Sequence, residues 1–289
     1  MKIAILGAHG FVGGNLGRLL TSYGHQVIGY VLNPEVKKSV GFECKSIYEL
    51  LDSRISAEAS YDVTINLAAR RATRTQPFTE IQINDFTYEI PKEFILRTAG
   101  PETLVINSST YIQNFGGKTG NTVDSYGASK EKLSSFLERE SLHHKFRCTD
   151  LYFFTLYGVG DRPNHLVPLL LDAAATGKQI ELSPGKQLMN LLYVDDAIQN
   201  IINSLDQVGV IGYQKHYLWS GEYFSVRELV ERIQSSIGRK IDCAWGKREY
   251  VGHEMMEPWK IPMEQLPGFT APTSLEVGIS KIWKSFLID

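Results

Sequence analysis

The sequence predicts an α/β chain, a doubly wound parallel sheet followed by a smaller C-terminal lobe. Three observations carry the prediction. Short β-branched runs alternate with segments of helical apolar spacing as far as Gly160, a glycine-rich turn joins the first strand to the first helix, and the rhythm changes after Gly160. Residues 2–6 are strand-like, 11–23 carry apolar residues at helical spacing, and 26–31 are strand-like again, which makes a β-α-β unit. Further apolar strands are expected at 63–67, 104–107 and 148–155, with helices at 78–98 and 125–143. Strands that alternate with helices pair in parallel and are covered on both faces. Beyond Gly160, residues 165–176, 194–205 and 225–237 read as helices, and 179–182 and 240–245 as short strands. A stretch with Pro258, Pro262, Pro267 and Pro272 follows, and there is neither an internal repeat nor a low-complexity linker.

Composition narrows the function classes. With 289 residues, 43% of them hydrophobic, the chain can bury a full core, and 30 Lys+Arg against 32 Asp+Glu give a net charge of −2. No positive field is available to hold nucleic acid or an anionic membrane. No apolar run approaches the roughly 18–20 residues of a membrane span, and the N-terminal run is too short for a signal-peptide core, so a cytoplasmic protein is expected. Cys44, Cys148 and Cys243 have neither metal nor redox spacing and read as reduced packing residues. His143 and His144 point about 100° apart on a helix, no HExxH is present, and no metal site is expected. Asn107-Ser108-Ser109 fits a glycosylation sequon only by coincidence of composition.

Gly7-Ala8-His9-Gly10-Phe11-Val12-Gly13 lies between the first strand and the first helix. Gly7 allows the tight turn, Gly10 lets backbone N–H groups approach a pyrophosphate, and Gly13 lets helix and strand pack closely. Gly7, Gly10, Phe11, Val12 and Gly13 are therefore candidate cofactor-binding residues of a Rossmann domain over 1–160, to which 190–215 is expected to return, leaving 161–289 as a substrate-binding lobe. An NAD-binding unit commonly offers an acidic residue after its second strand, whereas this strand ends Gly29-Tyr30-Val31-Leu32-Asn33, with Lys37 and Lys38 a few residues on. NADPH is expected in preference to NADH.

Tyr126-Gly127-Ala128-Ser129-Lys130 opens a predicted helix, and the i, i+4 spacing puts a phenol and an ammonium on one face. A neighbouring cation favours the phenolate and brings it toward working range, so Tyr126 can pass a proton to a carbonyl. Just upstream, Val105 to Thr110 is a strand ending in three hydroxyls, Ser108, Ser109 and Thr110, which face the ligand crevice of an open α/β sheet. Thr110 can donate a hydrogen bond to an oxygen on which charge develops.

With these motifs in hand the chain resembles the extended short-chain dehydrogenases/reductases of the NAD-dependent epimerase/dehydratase family, which act on nucleotide sugars. The matching segments are residues 7–13, Asn66-Leu67-Ala68-Ala69, Ser108-Ser109-Thr110, residues 126–130, residues 153–158, Tyr193-Val194-Asp195-Asp196 and the tail 268–279, so the likeness covers nearly the whole sequence. The resemblance implies Thr110, Tyr126 and Lys130 as catalytic residues. It implies that Ala68, Ala69, Ser108 and Phe153 line the cofactor, that Asn164 and His165 face the sugar diphosphate, and that the chain forms a homodimer. Dehydratases of the group follow the threonine with Asp-Glu, where this chain has Tyr111-Ile112, and epimerase-reductases place a cysteine where Thr110 stands. What is left is a nucleotide-sugar 4-keto reductase using NADPH in deoxysugar, polysaccharide or lipopolysaccharide biosynthesis. The tail with Trp259, Gly268, Pro272 and Ser274-Leu275-Glu276 is similar to that of CDP-abequose, paratose and 6-deoxy-heptose synthases. Where the family carries an Arg before Tyr-Val-x-Asp this chain has Met189-Asn190, so Lys247 and Arg248 are the candidates to meet the diphosphate. A C4-epimerase with tightly held NAD would use the same trio, and a non-catalytic NADP sensor of the same fold would not need it. The homodimer is expected to pair helix 125–142, through Leu133, Phe136 and Leu137, with the apolar region 78–94.

Overall fold

The computed structural model describes residues 1–34, 40–52, 61–72, 77–205, 211–252 and 254–286. The chain opens with β1 (Lys2–Leu6), α1 (Phe11–Ser22), β2 (Gln26–Val31), β3 (Glu43–Ser46), α2 (Ile47–Asp52) and β4 (Val63–Asn66). It continues through α3 (Glu80–Asn84), a π-helical turn Asp85–Glu89, α4 (Ile90–Thr98), β5 (Leu104–Thr110), α5 (Ser125–His143) and β6 (Arg147–Phe153). The expected continuous helix over 78–98 is thus broken in its middle. Pro91, in the first turn of α4, has no N–H to offer a carbonyl behind it, and the backbone takes the wider turn there.

After β6 come β7 (Thr155–Tyr157), α6 (Leu166–Thr176), β8 (Ile180–Leu182), β9 (Leu188–Met189), β10 (Leu191–Tyr193), α7 (Val194–Leu205) and β11 (Gly212–Leu218). β12 (Phe224–Ser225), α8 (Val226–Ile237), β13 (Cys243–Trp245) and α9 (Leu275–Phe286) complete the chain. Seven strands form one parallel sheet in the order β11-β6-β5-β4-β1-β2-β3. The order reverses at β1, so a crevice opens beyond the carboxyl ends of β1 and β4, where open α/β sheets bind ligands.

Side chains alternate between the two faces. Ile3, Ile5, Val27 and Val31 bury against Leu16 and Leu20 of α1 and against Ile198 and Ile201 of α7. Ala4, Leu6, Ile28 and Tyr30 pack on the other face with Phe94, Ile95, Leu133 and Leu137 from α4 and α5. Leu133 and Leu137 are fully buried and Phe136 nearly so, each worth about 2 kcal/mol of burial. These three side chains are spent inside their own chain, which corrects the expectation that they face a second copy. A separate apolar cluster joins α6, α8 and α9 through Leu170, Leu229, Ile233 and Ile279. Cys44, Cys148 and Cys243 are free thiols.

Candidate active site

The glycine turn is built as its sequence demands. Gly7 has φ +87°, in the left-handed region that favours glycine. Its N–H donates to the Tyr30 carbonyl at 3.0 Å, and Gly10 N–H donates to the Gly7 carbonyl at 2.8 Å. A Cβ at Gly13 would collide with that same carbonyl, so only glycine lets α1 sit this close to the turn. Gly10 is extended, no side chain caps α1, and its first turn holds no acidic residue. The first N–H groups and the positive end of the helix are left for an anion, which fits a dinucleotide pyrophosphate. From there a cleft of about 310 Å³ runs past Tyr30 and Asn33 at the end of β2 to Ala68 and Arg70 beyond β4. None of the described residues lining it is acidic. Lys37 and Lys38 lie outside the described residues.

A second cavity, of about 200 Å³, brings together Ser108, Thr110, Tyr126, Lys130, Phe153 and Ala69. Val12 lines it too, while Gly7, Gly10 and Ala68 line the neighbouring cleft and Phe11 the groove beside Arg18. Asp124 caps α5 by accepting from Gly127 N–H at 2.6 Å, which sets the helix start and projects Tyr126 and Lys130 to the cavity. Lys130 is 1% exposed, and its Nζ donates to the Ser108 carbonyl and, at 3.2 Å, to Ser108 Oγ. Burial lowers its ammonium to about 8, with the Asp150 carboxylate working in the opposite direction. Burial pushes the Tyr126 phenol up to about 12, offset first by the Arg71 guanidinium and also by Arg162. Arg71 lies 5.6 Å from the Tyr126 ring centre and 3.5 Å from Asp124 Oδ2. Proximity to Lys130 was the sequence's reason for an activated phenol, but the cations that offset burial come from two loops. Thr110 caps the turn Tyr111–Gly117, its Oγ1 accepting from Ile112 N–H at 3.5 Å.

Asn164 stands with Arg70, Arg71, Arg162, Pro163 and Phe78 around a wide cleft beside Ala69. His165 precedes α6, with Nδ1 2.8 Å from Asp161 Oδ1. Lys247 and Arg248 are exposed on the turn after β13 and line neither this cleft nor the Tyr126 cavity. Asn190, which replaces the family's expected Arg, is buried and donates to Ser220 Oγ at 2.7 Å and the Glu222 carbonyl at 2.6 Å. It is a packing residue. Sequence reasoning missed Arg70, Arg71 and Arg162, although the first two directly follow Ala68-Ala69 and so share their loop. Arg70 packs its guanidinium over Phe86 and Phe78, at 3.9 and 4.9 Å from the ring centres.

Known proteins carry the same architecture. The chain is 29% identical over 268 residues to CDP-abequose synthase of Yersinia pseudotuberculosis, covering 89% of this chain and 92% of that protein. It is 23% identical over 242 residues to a probable UDP-glucuronate 4-epimerase of Rhizobium meliloti, covering 70% of this chain and 67% of that protein. Among solved structures, MoeE5 in complex with UDP-glucuronic acid and NAD superposes with a TM-score of 0.84 at 19% identity, covering 100% of this chain and 99% of that one. UDP-glucose 4-epimerase with UDP-glucose from Thermotoga maritima superposes with a TM-score of 0.85 at 17% identity, again over 100% of this chain and 99% of the other. These superpositions speak for the fold. A family model described as NAD dependent epimerase/dehydratase family matches residues 3–217. That span takes in the glycine turn, the Tyr126 cavity and nearly all of the strand that closes the sheet, and the chain accordingly belongs to the NAD-dependent epimerase/dehydratase family.

Proposed function

We propose that the chain reduces the C4 keto group of a nucleotide-linked 4-keto-6-deoxy sugar with NADPH. One observation carries the proposal: Thr110, Tyr126 and Lys130 share a single cavity with Ala69 and Phe153, next to the cleft of the glycine turn. The likeness to CDP-abequose synthase supports it. So does Tyr111, which occupies the position after the threonine where a dehydratase needs an acid. The turn 7–13, Ala68, Ala69, Ser108 and Phe153 would hold the dinucleotide, which supplies the hydride when bound. Tyr126 Oη gives its proton to the ketone oxygen, and Thr110 Oγ1 donates a hydrogen bond to the same oxygen as charge develops there. Lys130, anchored on Ser108 in the same cavity as Tyr126, would meet the cofactor ribose. On the substrate side, within 161–289, Asn164 and His165 face the diphosphate. Its charge is met by Arg71 and Arg162, which line the wide cleft with Asn164, rather than by Lys247 and Arg248, which do not line it.

NADPH in place of NADH is supported by the cleft beyond β2, where Asn33 and Arg70 stand and, among the described residues that line it, there is no carboxylate. Homodimerisation is supported by family membership alone. Incubation with NADPH and a panel of nucleotide-linked 4-keto-6-deoxy sugars, followed at the nicotinamide absorbance, tests the proposal. Substrate-dependent oxidation of NADPH is expected, and its absence across the panel refutes it. A C4-epimerase with tightly held NAD is the second reading, favoured by the likeness to a probable UDP-glucuronate 4-epimerase. NAD retained through purification and turnover of a UDP-sugar without added dinucleotide would decide for it.

A further inference from the structure

We propose that Gln113 is a positioning residue for Thr110: its side-chain amide braces the end of β5 against α5, so that the Thr110 hydroxyl and the Tyr126 phenol meet the same substrate oxygen. Thr110-Tyr111-Ile112-Gln113 has the spacing of a capping box, in which the fourth side chain returns to the backbone of the first. Gln113 Oε1 accepts from Thr110 N–H at 2.9 Å. A backbone N–H can only donate, so this contact fixes the orientation of the amide and turns Nε2 the other way. There its two hydrogens are shared among Glu131 Oε2 at 3.0 Å and Ser134 Oγ at 3.2 Å on α5, and Tyr152 Oη on β6 at 3.3 Å. A glutamine that only closed its own turn would leave Nε2 to water. Gln113 is instead fully buried, and its amide joins the strand end to another helix.

The helix end of the brace is itself held. Glu131 directly follows Lys130, and Ser134 lies one turn beyond it. Ser134 Oγ gives its hydrogen to Asp150 Oδ2 at 2.6 Å, which leaves its lone pairs for Gln113. Asp150 also accepts from Asn107 Nδ2 at 2.8 Å and from Tyr213 Oη at 2.7 Å. The covalent path from Thr110 to Tyr126 offers no such constraint: it comes to the surface at Gly116, stays there from Lys118 to Asn121 and returns through the cap Asp124. Lys130 has its own anchor on Ser108, so α5 keeps its place on β5 when the brace is cut, and what shifts is Thr110. Thr110 Oγ1 accepts from Ile112 N–H, which leaves its hydrogen for the substrate. That hydrogen is aimed by the backbone that Gln113 holds.

The proposal rests on the catalytic reading of Thr110, and two measurements tell a failure of one from a failure of the other. In steady-state kinetics Gln113→Leu should lower kcat about 10- to 100-fold and leave the apparent KM for NADPH within about two-fold, since a misplaced donor costs rate rather than cofactor affinity. In the Thr110→Val background, where no donor is left to place, the same change should lower kcat by less than about two-fold. Equal losses in both backgrounds would make Gln113 a structural residue only and overturn the proposal. Amide hydrogen exchange of the nucleotide-free protein needs no substrate. Gln113→Leu should speed exchange across residues 110–117 about tenfold, and Glu131→Ala, a change on α5 alone, about fivefold over the same segment, with α8 at the parental rate. A response to Gln113→Leu without one to Glu131→Ala would reduce Gln113 to a cap of its own turn, which also overturns the proposal. If Gln113→Leu does not fold, Gln113→Asn, which keeps the amide but lacks the reach to span both elements, takes its place with the same expectations. Absence of any turnover in the parent protein would instead strike at the reductase assignment and leave the exchange experiment to decide on the brace.

Discussion

Replacing Lys130 with Met removes the charged end of a fully buried side chain and keeps most of its volume. In the folded chain burial lowers this ammonium from the ordinary 10.5 to about 8. At about 1.4 kcal/mol per pH unit, that displacement is a folding penalty of roughly 3 kcal/mol. The penalty is present in full below pH 8, where the lysine is protonated in both states. Between about 8 and 10.5 the unfolded chain binds more proton than the folded one, so stability gains as pH rises through that window. The variant lacks the gain. Urea unfolding of nucleotide-free protein from pH 7 to pH 10 should therefore show the parent improving against Lys130→Met by about 2–3 kcal/mol. The buried tyrosines titrate alike in both proteins and cancel from the difference, as does the lost contact with Ser108. A difference that stays constant across the range would mean that Lys130 is not held near 8 and that its burial does not poise it for proton chemistry.

Tyr126→Phe should lower turnover by about 10²–10⁴ with NADPH affinity nearly unchanged, and Thr110→Val by a comparable order. Steady-state kinetics with a fluorescence titration of the dinucleotide check both, and a Tyr126→Phe enzyme of parental turnover would place the proton source elsewhere. His165→Ala should raise the apparent KM several-fold and leave kcat within about two-fold, because its ring is held by Asp161 and on the proposed reading meets the sugar diphosphate rather than the ketone; loss of kcat at intact binding would make His165 the acid. Gly13→Ala should abolish the thermal shift produced by NADPH and cost about 1–3 kcal/mol of stability, since the new methyl meets the Gly7 carbonyl.

Elements with strong local signals were legible from the chain alone. The start of α5 at Ser125 follows from the capping Asp124, and α7 begins at the Val194 that sequence spacing indicates. β3 was not foreseen: Glu43-Cys44-Lys45-Ser46 sits at the sheet edge, where only its last residue is buried and little apolar pattern is required. β11, Gly-Tyr-Gln-Lys-His-Tyr-Leu, escaped for the same reason at the opposite edge. Expected strand 148–155 is in fact two, because at Phe154 the chain leaves the large sheet and β7 pairs with β10. The Thr110, Tyr126 and Lys130 positions were readable because strand end and helix start are close in sequence. Arg71 and Arg162 were not, since what matters about each is a neighbour dozens of residues away, and no local spacing encodes that.

β11 closes the sheet against β6 only after the chain has passed through β7 to β10 and α7. A chain still being synthesised exposes the whole edge of Arg147–Phe153 until residue 218 has emerged, and an unpaired parallel edge invites association with other chains. The same late strand carries Tyr213, the third donor to Asp150. Completion of the fold and maturation of the polar interior behind the active centre are thus one event, and truncations ending before Gly212 should accumulate as aggregates rather than as partly active enzyme.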